Sequence, residues 1–193
     1  MDTWIWVVIA VVATAIVLAV IWSALRARRS QELRERFGPE YDRVAADAPT
    51  KREAESELRA REERREQLEF RPLSAEQRER YQARWTAVQA EFVDDPAGAV
   101  TEADSLIQDV MRERGYPVDD FDTRAADLSV DHPDVVENYR AGHGIATAHE
   151  RGKAGTEELR KAVQHYRALF EELLEIEPPQ QVDSVTREPS RRV

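Results

Sequence analysis

Between Trp4 and Leu25 the chain runs WIWVVIAVVATAIVLAVIWSAL, 22 residues without a charge and with only Thr14 and Ser23 polar. No other feature restricts the possible folds as much. At 1.5 Å per residue such a helix extends roughly 33 Å, enough for a hydrocarbon core of about 30 Å. Thr14 can return its hydroxyl to a carbonyl one turn back, which makes it tolerable in lipid. Trp4 and Trp6 at one end and Trp22 at the other suit the two interfaces. The segment predicts a transmembrane anchor over residues 1–25.

A cleaved signal peptide is the rival reading. It needs a basic stretch before a shorter apolar run, whereas here Met1, Asp2 and Thr3 precede the run and Arg26, Arg28 and Arg29 follow it. By the positive-inside rule these three arginines mark the cytoplasmic end. The expectation is a single-pass protein of the cell membrane with its N-terminus outside and the remainder cytoplasmic. The same arginines could hold anionic lipid head groups. Ala15, Ala19 and Ser23, four apart, form a small face that could support a homo-oligomer, although Ala is common throughout.

Charge and composition narrow the partners. With 38 acidic against 28 basic residues and a net charge of −10, the chain lacks the cationic surface that general nucleic-acid binding requires, so no nucleic-acid partner is expected. Cysteine is absent, which removes disulfides, zinc thiolates and thiol catalysis. Only Lys51, Lys153 and Lys161 are lysines, a bias that reads as GC-rich bacterial coding.

Beyond the anchor nothing alternates with period two, and the expected class is all-α. Residues 26–72 form a juxtamembrane and charged helical spacer. Gly38-Pro39 breaks it once and Ala48-Pro49 again. In 51–71, Glu55–Arg59, Glu57–Arg61 and Arg65–Glu69 stand four apart. Only Ala54, Leu58 and Leu68 give an apolar stripe there, which suggests an exposed spacer or a weak coiled coil.

A compact helical bundle is expected over 73–177. Ser74 and Gln77 make a capping-box pattern, and Tyr81, Trp85, Val88 and Phe92 share one face. Asp95-Pro96 starts a helix that presents Ala99, Ala103, Leu106, Ile107, Val110 and Met111 and stops at Gly115. Residues 118–130 suggest one or two helical turns that place Phe121 and Leu128 in the core. Asp131-His132-Pro133 begins another helix, with Val135, Val136, Tyr139, Gly142 and Ala146 inward. Thr156 caps a last helix with Leu159, Val163, Tyr166, Phe170, Leu173 and Leu174 inward. Residues 178–193 lack periodicity and read as a disordered tail.

Chemistry is harder to find. His143 and His149 are six apart, wrong for a helical zinc pair, and His149-Glu150 has no second histidine to complete a metalloprotease helix. His132 and His165 stand alone. Asp119, Asp120 and Asp122 lack the glycine and terminal glutamate of a calcium loop. No catalytic, metal or cofactor residue is assigned. Arg114, Tyr116, Tyr139, Arg140 and His143 are the candidate surface for a partner or ligand, set against plain turn chemistry around Gly115 and Pro117.

The stretches RFGPEYDR (36–43), RYQARWTAVQAEFVDDPAGAVTEADSLIQDVMRERGYPVDDF (80–121), DLSVDHPDVVENYR (127–140) and TEELRKAVQHYRALFEELL (156–174) resemble a group of uncharacterised bacterial proteins. These are common in actinomycete-type genomes and described only as hypothetical membrane or secreted proteins. The resemblance implies a bacterial source and brings no activity, substrate or site residue. The function expected is a non-enzymatic interaction or scaffold module facing the cytoplasm, with an unknown protein partner and the lipid bilayer as contacts. The alternatives are a tethered helical enzyme or ligand-binding domain, or a cleaved secreted protein.

Overall fold

The computed structural model describes residues 3–175, with side-chain surroundings for Trp4 and from Val12 onward. Among the described residues there are eight helices and no strand: α1 Thr3–Phe37, α2 Pro39–Asp47, α3 Lys51–Glu66, α4 Ala75–Glu91, α5 Pro96–Arg114, α6 Phe121–Asp131, α7 Val136–Glu150 and α8 Thr156–Glu175. The all-α class and the helical bundle are as expected. The predicted disordered tail, 178–193, lies outside the described residues.

The chain divides into two compact units: residues 1–67 with 120–137, and residues 68–119 with 138–193. In the first unit α1 continues unbroken from the apolar run into the arginine-rich stretch. It stops where Gly38, at φ +48°, takes a backbone conformation that a side chain would resist. Pro39 then opens α2 with φ already set for a helix. Ala48, extended before Pro49, ends α2. Thr50 starts α3, its hydroxyl accepting from the Glu53 N–H at 3.2 Å.

The core of this unit is built from Leu33 and Phe37 of α1, Tyr41 and Val44 of α2, Ala54 and Leu58 of α3, and Val130 of α6. The expected exposed spacer is therefore corrected. Its stripe Ala54 and Leu58 is fully buried, and α3 packs on α2 and α6. Of the three charge pairs expected along α3, Glu55–Arg59 forms at 3.4 Å and Glu57–Arg61 is in contact. Arg65 instead reaches Asp131 at 2.9 Å. The helix ends at Glu66, so Glu69 is no longer one turn away on the same face.

Exposure runs the other way in the apolar half of α1. Every residue from Val12 to Arg29 is exposed, including Ile16, Val17, Leu18, Val20, Ile21, Trp22 and Leu25. Among the described residues no helix is long and apolar enough to cross a membrane. From Val12 to Leu25 the described run is about 21 Å long at 1.5 Å per residue, short of a core about 30 Å thick. The expected span over 4–25 draws on residues 5–11, whose side chains lie outside the described set.

In the second unit α5 packs against α4 on one side and α8 on the other. The expected faces largely hold. Tyr81, Trp85 and Val88 are buried, as are all six residues named for α5. Phe92 and Val163 are half-buried, while Ala162 and Leu169 join the inner face of α8. Trp85 stacks on Phe170 with ring centroids 4.8 Å apart. The capping box is complete, Ser74 and Gln77 each accepting from the other's N–H. Asp95 caps α5 at Gly98, and Gly115 closes it in the left-handed conformation at φ +94°.

Three boundaries differ from expectation. Asp131 is the last residue of α6 and His132 its C-cap, so the helix expected from Asp131-His132-Pro133 begins only at Val136. Thr156 is the first residue of α8 rather than its cap, and the Glu158 carboxylate reaches back to the Gly155 N–H at 3.1 Å. The stretch after Asp120 makes eleven helical residues rather than one or two turns. The Asp120 carboxylate accepts from both the N–H and the hydroxyl of Thr123.

Candidate functional site

The first candidate region is the neck of α1, where the apolar run becomes charged. The Arg26 guanidinium lies over the Trp22 ring, 5.5 Å from its centroid, with both side chains exposed. Arg28 and Arg29 are also exposed. Arg29, Glu32, Leu33 and Arg36 recur every three or four residues, so they share one face of α1. With Arg59 and Glu62 of α3 they line a cleft of about 430 Å³. Arg36 pairs with Glu62 at 3.0 Å, and Arg59 with Glu55 at 3.4 Å. Arg29 and Glu32 make no ion pair or hydrogen bond among the described residues. The sequence marked Arg29 as a topology determinant and a candidate contact for anionic lipid head groups; the period-3.6 face it shares with Glu32 and Arg36 was the signal for the cleft.

Below the neck lies a polar network inside the same unit. Glu40, wholly buried, accepts from Arg61 at 2.6 Å and from Arg43 at 3.0 and 3.2 Å. Arg61 also donates to the Ser129 hydroxyl at 3.2 Å. Arg64 lies 3.3 Å from buried Asp127, and Arg65 grips both oxygens of Asp131 at 2.9 Å. Three arginines on one side of α3 thus fasten α6. The arrangement neutralises buried carboxylates and holds helices together; it contains no nucleophile beside a base.

The predicted surface residues all fall in the second unit, in different settings. Arg114 is buried and donates from Nη1 to the Leu173 carbonyl at 2.5 Å, near the C-terminal end of α8. Tyr116 is buried too, its ring edge-on to Phe70 at 4.5 Å. Tyr139 is fully buried 6.0 Å from Tyr166, two helical turns before Leu173 along α8. Arg140 and His143 are half-buried. The first three therefore face inward, leaving only Arg140 and His143 partly open to a partner. None of the five lines the neck cleft or the second cleft described next.

That second cleft, about 390 Å³, is lined by Arg71, Tyr81, Asp109, Arg112 and Glu113. Burial works to raise the Asp109 pKa, but hydrogen bonds from Arg84 and Arg112 outweigh it and hold the carboxyl below the usual range. Tyr81 is pushed up, chiefly by burial. Hydrogen bonds to Asp109 and Glu102 raise Arg84. Each shift keeps Asp109, Tyr81 and Arg84 in the charge state that the group ordinarily has at neutral pH.

Among the described residues no group of three or more His, Cys, Asp or Glu side chains is placed to hold a metal ion. His165 meets the Asn138 side chain at 2.9 Å and His149 the Ala154 carbonyl at 2.7 Å. No protein-family model, curated protein or solved structure matches the chain.

Proposed function

We propose that this chain is a membrane-anchored, non-enzymatic helical module, with α1 as its single-pass anchor and its globular part on the cytoplasmic side. One observation carries the reading: α1 is a single helix with opposite behaviour in its two halves. From Val12 to Leu25 its large apolar side chains are exposed on every face, while Leu33 and Phe37, about two and three turns further on, are buried. A helix apolar all round that its own chain leaves uncovered needs an apolar solvent, and the residues before Val12 would complete the span. Arg26, Arg28 and Arg29 then fall at the cytoplasmic interface.

Interaction rather than catalysis is favoured because the buried polar cluster of the first unit is made of ion pairs that join helices. Alkaline carbonate extraction of membranes, followed by the intact mass of the retained chain, tests the anchor. The full-length mass should stay in the pellet; a soluble chain, or one starting after Ala24, contradicts it. Affinity capture from gently solubilised membranes should recover a stable protein partner. A monomer that repeatedly captures nothing counts against the scaffold role.

A further inference from the structure

The neck cleft has a charge pattern that selects one kind of lipid. Its lining holds three arginines and two glutamates, and Glu55 pairs with the third arginine from outside. Arg36 is engaged by Glu62, and Arg59 by Glu55. What remains uncommitted is one cation, Arg29, and one anion, Glu32, one helical turn apart and both exposed. With the apolar run ending at Leu25, Arg29 lies about 6 Å and Glu32 about 10 Å further along the helix axis. The headgroup layer is roughly 5–7 Å deep on each side of the core. Arg29 thus sits at phosphate depth and Glu32 just beyond it.

We infer that this cleft binds the headgroup of a zwitterionic aminophospholipid, its phosphate on Arg29 and its primary ammonium on Glu32. The inference rests on the membrane-anchored reading above. A guanidinium suits a phosphate oxygen pair, and a carboxylate accepts from an ammonium with N–H donors. A purely anionic headgroup would meet the phosphate-binding cation but leave Glu32 as an unmatched like charge. A choline headgroup offers Glu32 no N–H.

The test uses the full chain in neutral detergent with equimolar phosphatylethanolamine, phosphatidylglycerol and phosphatidylcholine, read by native mass spectrometry. Wild type should retain the ethanolamine lipid about tenfold over either competitor, the size of one charged hydrogen bond. Arg29→Gln should lose retention of all three lipids, and Arg29→Lys should keep much of it. Glu32→Gln should retain lipid but lose the preference for ethanolamine. Arg28→Gln, one residue away and outside the cleft, should keep the ethanolamine preference that Glu32→Gln loses. Equal or stronger retention of phosphatidylglycerol, or an equal loss in Arg28→Gln, overturns the proposal in favour of diffuse attraction. Flotation of the same protein with pure phosphatidylcholine vesicles separates the two readings: a chain that does not float fails as an anchor. One that floats without lipid preference fails only as a headgroup site.

Discussion

The Arg61 guanidinium donates to Glu40 Oε1 at 2.6 Å with both side chains shut away from solvent. Twenty-one residues separate them, and the pair joins α2 to α3 in the unit that carries the apolar helix. Arg61 continues to Ser129 on α6, so one side chain bridges three helices.

Removing one partner should be costly. Arg61→Met takes the 2.6 Å hydrogen bond from buried Glu40, and unfolding of the full chain in neutral detergent should show a loss of about 3 kcal/mol. The double change Glu40→Met with Arg61→Met should recover most of it, because no charge is then buried unpaired. Additive losses would show that the two side chains are not energetically coupled.

Leu58→Ala tests whether α3 belongs to the core. A fully buried leucine should cost about 2–5 kcal/mol when cut back to Ala. An exposed spacer residue would show almost no change in the thermal midpoint.

Much of the second unit was legible in the sequence because its signals are local. Ser74–Gln77, Asp95-Pro96 and Gly115 act within one helical turn, and the apolar faces of α5 and α8 recur at helical spacing. The first unit was less legible. Arg61, Arg64 and Arg65 sit in a segment whose charges all suit a solvated helix. Their partners, buried Glu40, Asp127 and Ser129 and half-buried Asp131, lie 21 to 68 residues away. Nothing in a four-residue pattern shows that a charge will be matched at that separation. Arg114, Tyr116 and Tyr139 were singled out as unusual for the same reason, since composition marks an aromatic or arginine without telling which way it faces.

Gly115 and Gly38 should respond differently to alanine. Both have positive φ, but a Cβ at Gly115 would run into the Glu69 backbone carbonyl, while at Gly38 nothing lies within 4 Å. Gly38→Ala should cost about 1–2 kcal/mol from the left-handed conformation alone. Gly115→Ala should cost more, because backbone must also move. Thermal unfolding of the two variants in the same detergent checks the order; equal losses would mean that the backbone at Glu69 yields freely.

Asp109 sets an acid-side dependence. Its folded pKa lies below the ordinary carboxyl value, so the stability it contributes is present above that ordinary value. It is lost as pH falls through the depressed pKa. In Arg84→Gln the Asp109 carboxyl should titrate nearer its ordinary value, and that part of the acid loss should shrink. Carboxyl-carbon NMR titration of Asp109 reads this directly; an unchanged titration would remove Arg84 as the cause.

The anchor itself is the central claim, and the absence of cysteine makes its most direct test simple. Asp2→Cys and Glu63→Cys each introduce a single thiol, one on either side of the apolar run. With a membrane-impermeant maleimide, right-side-out vesicles should label only Asp2→Cys and inverted vesicles only Glu63→Cys. Labelling of both positions from the same side would contradict a single-pass α1.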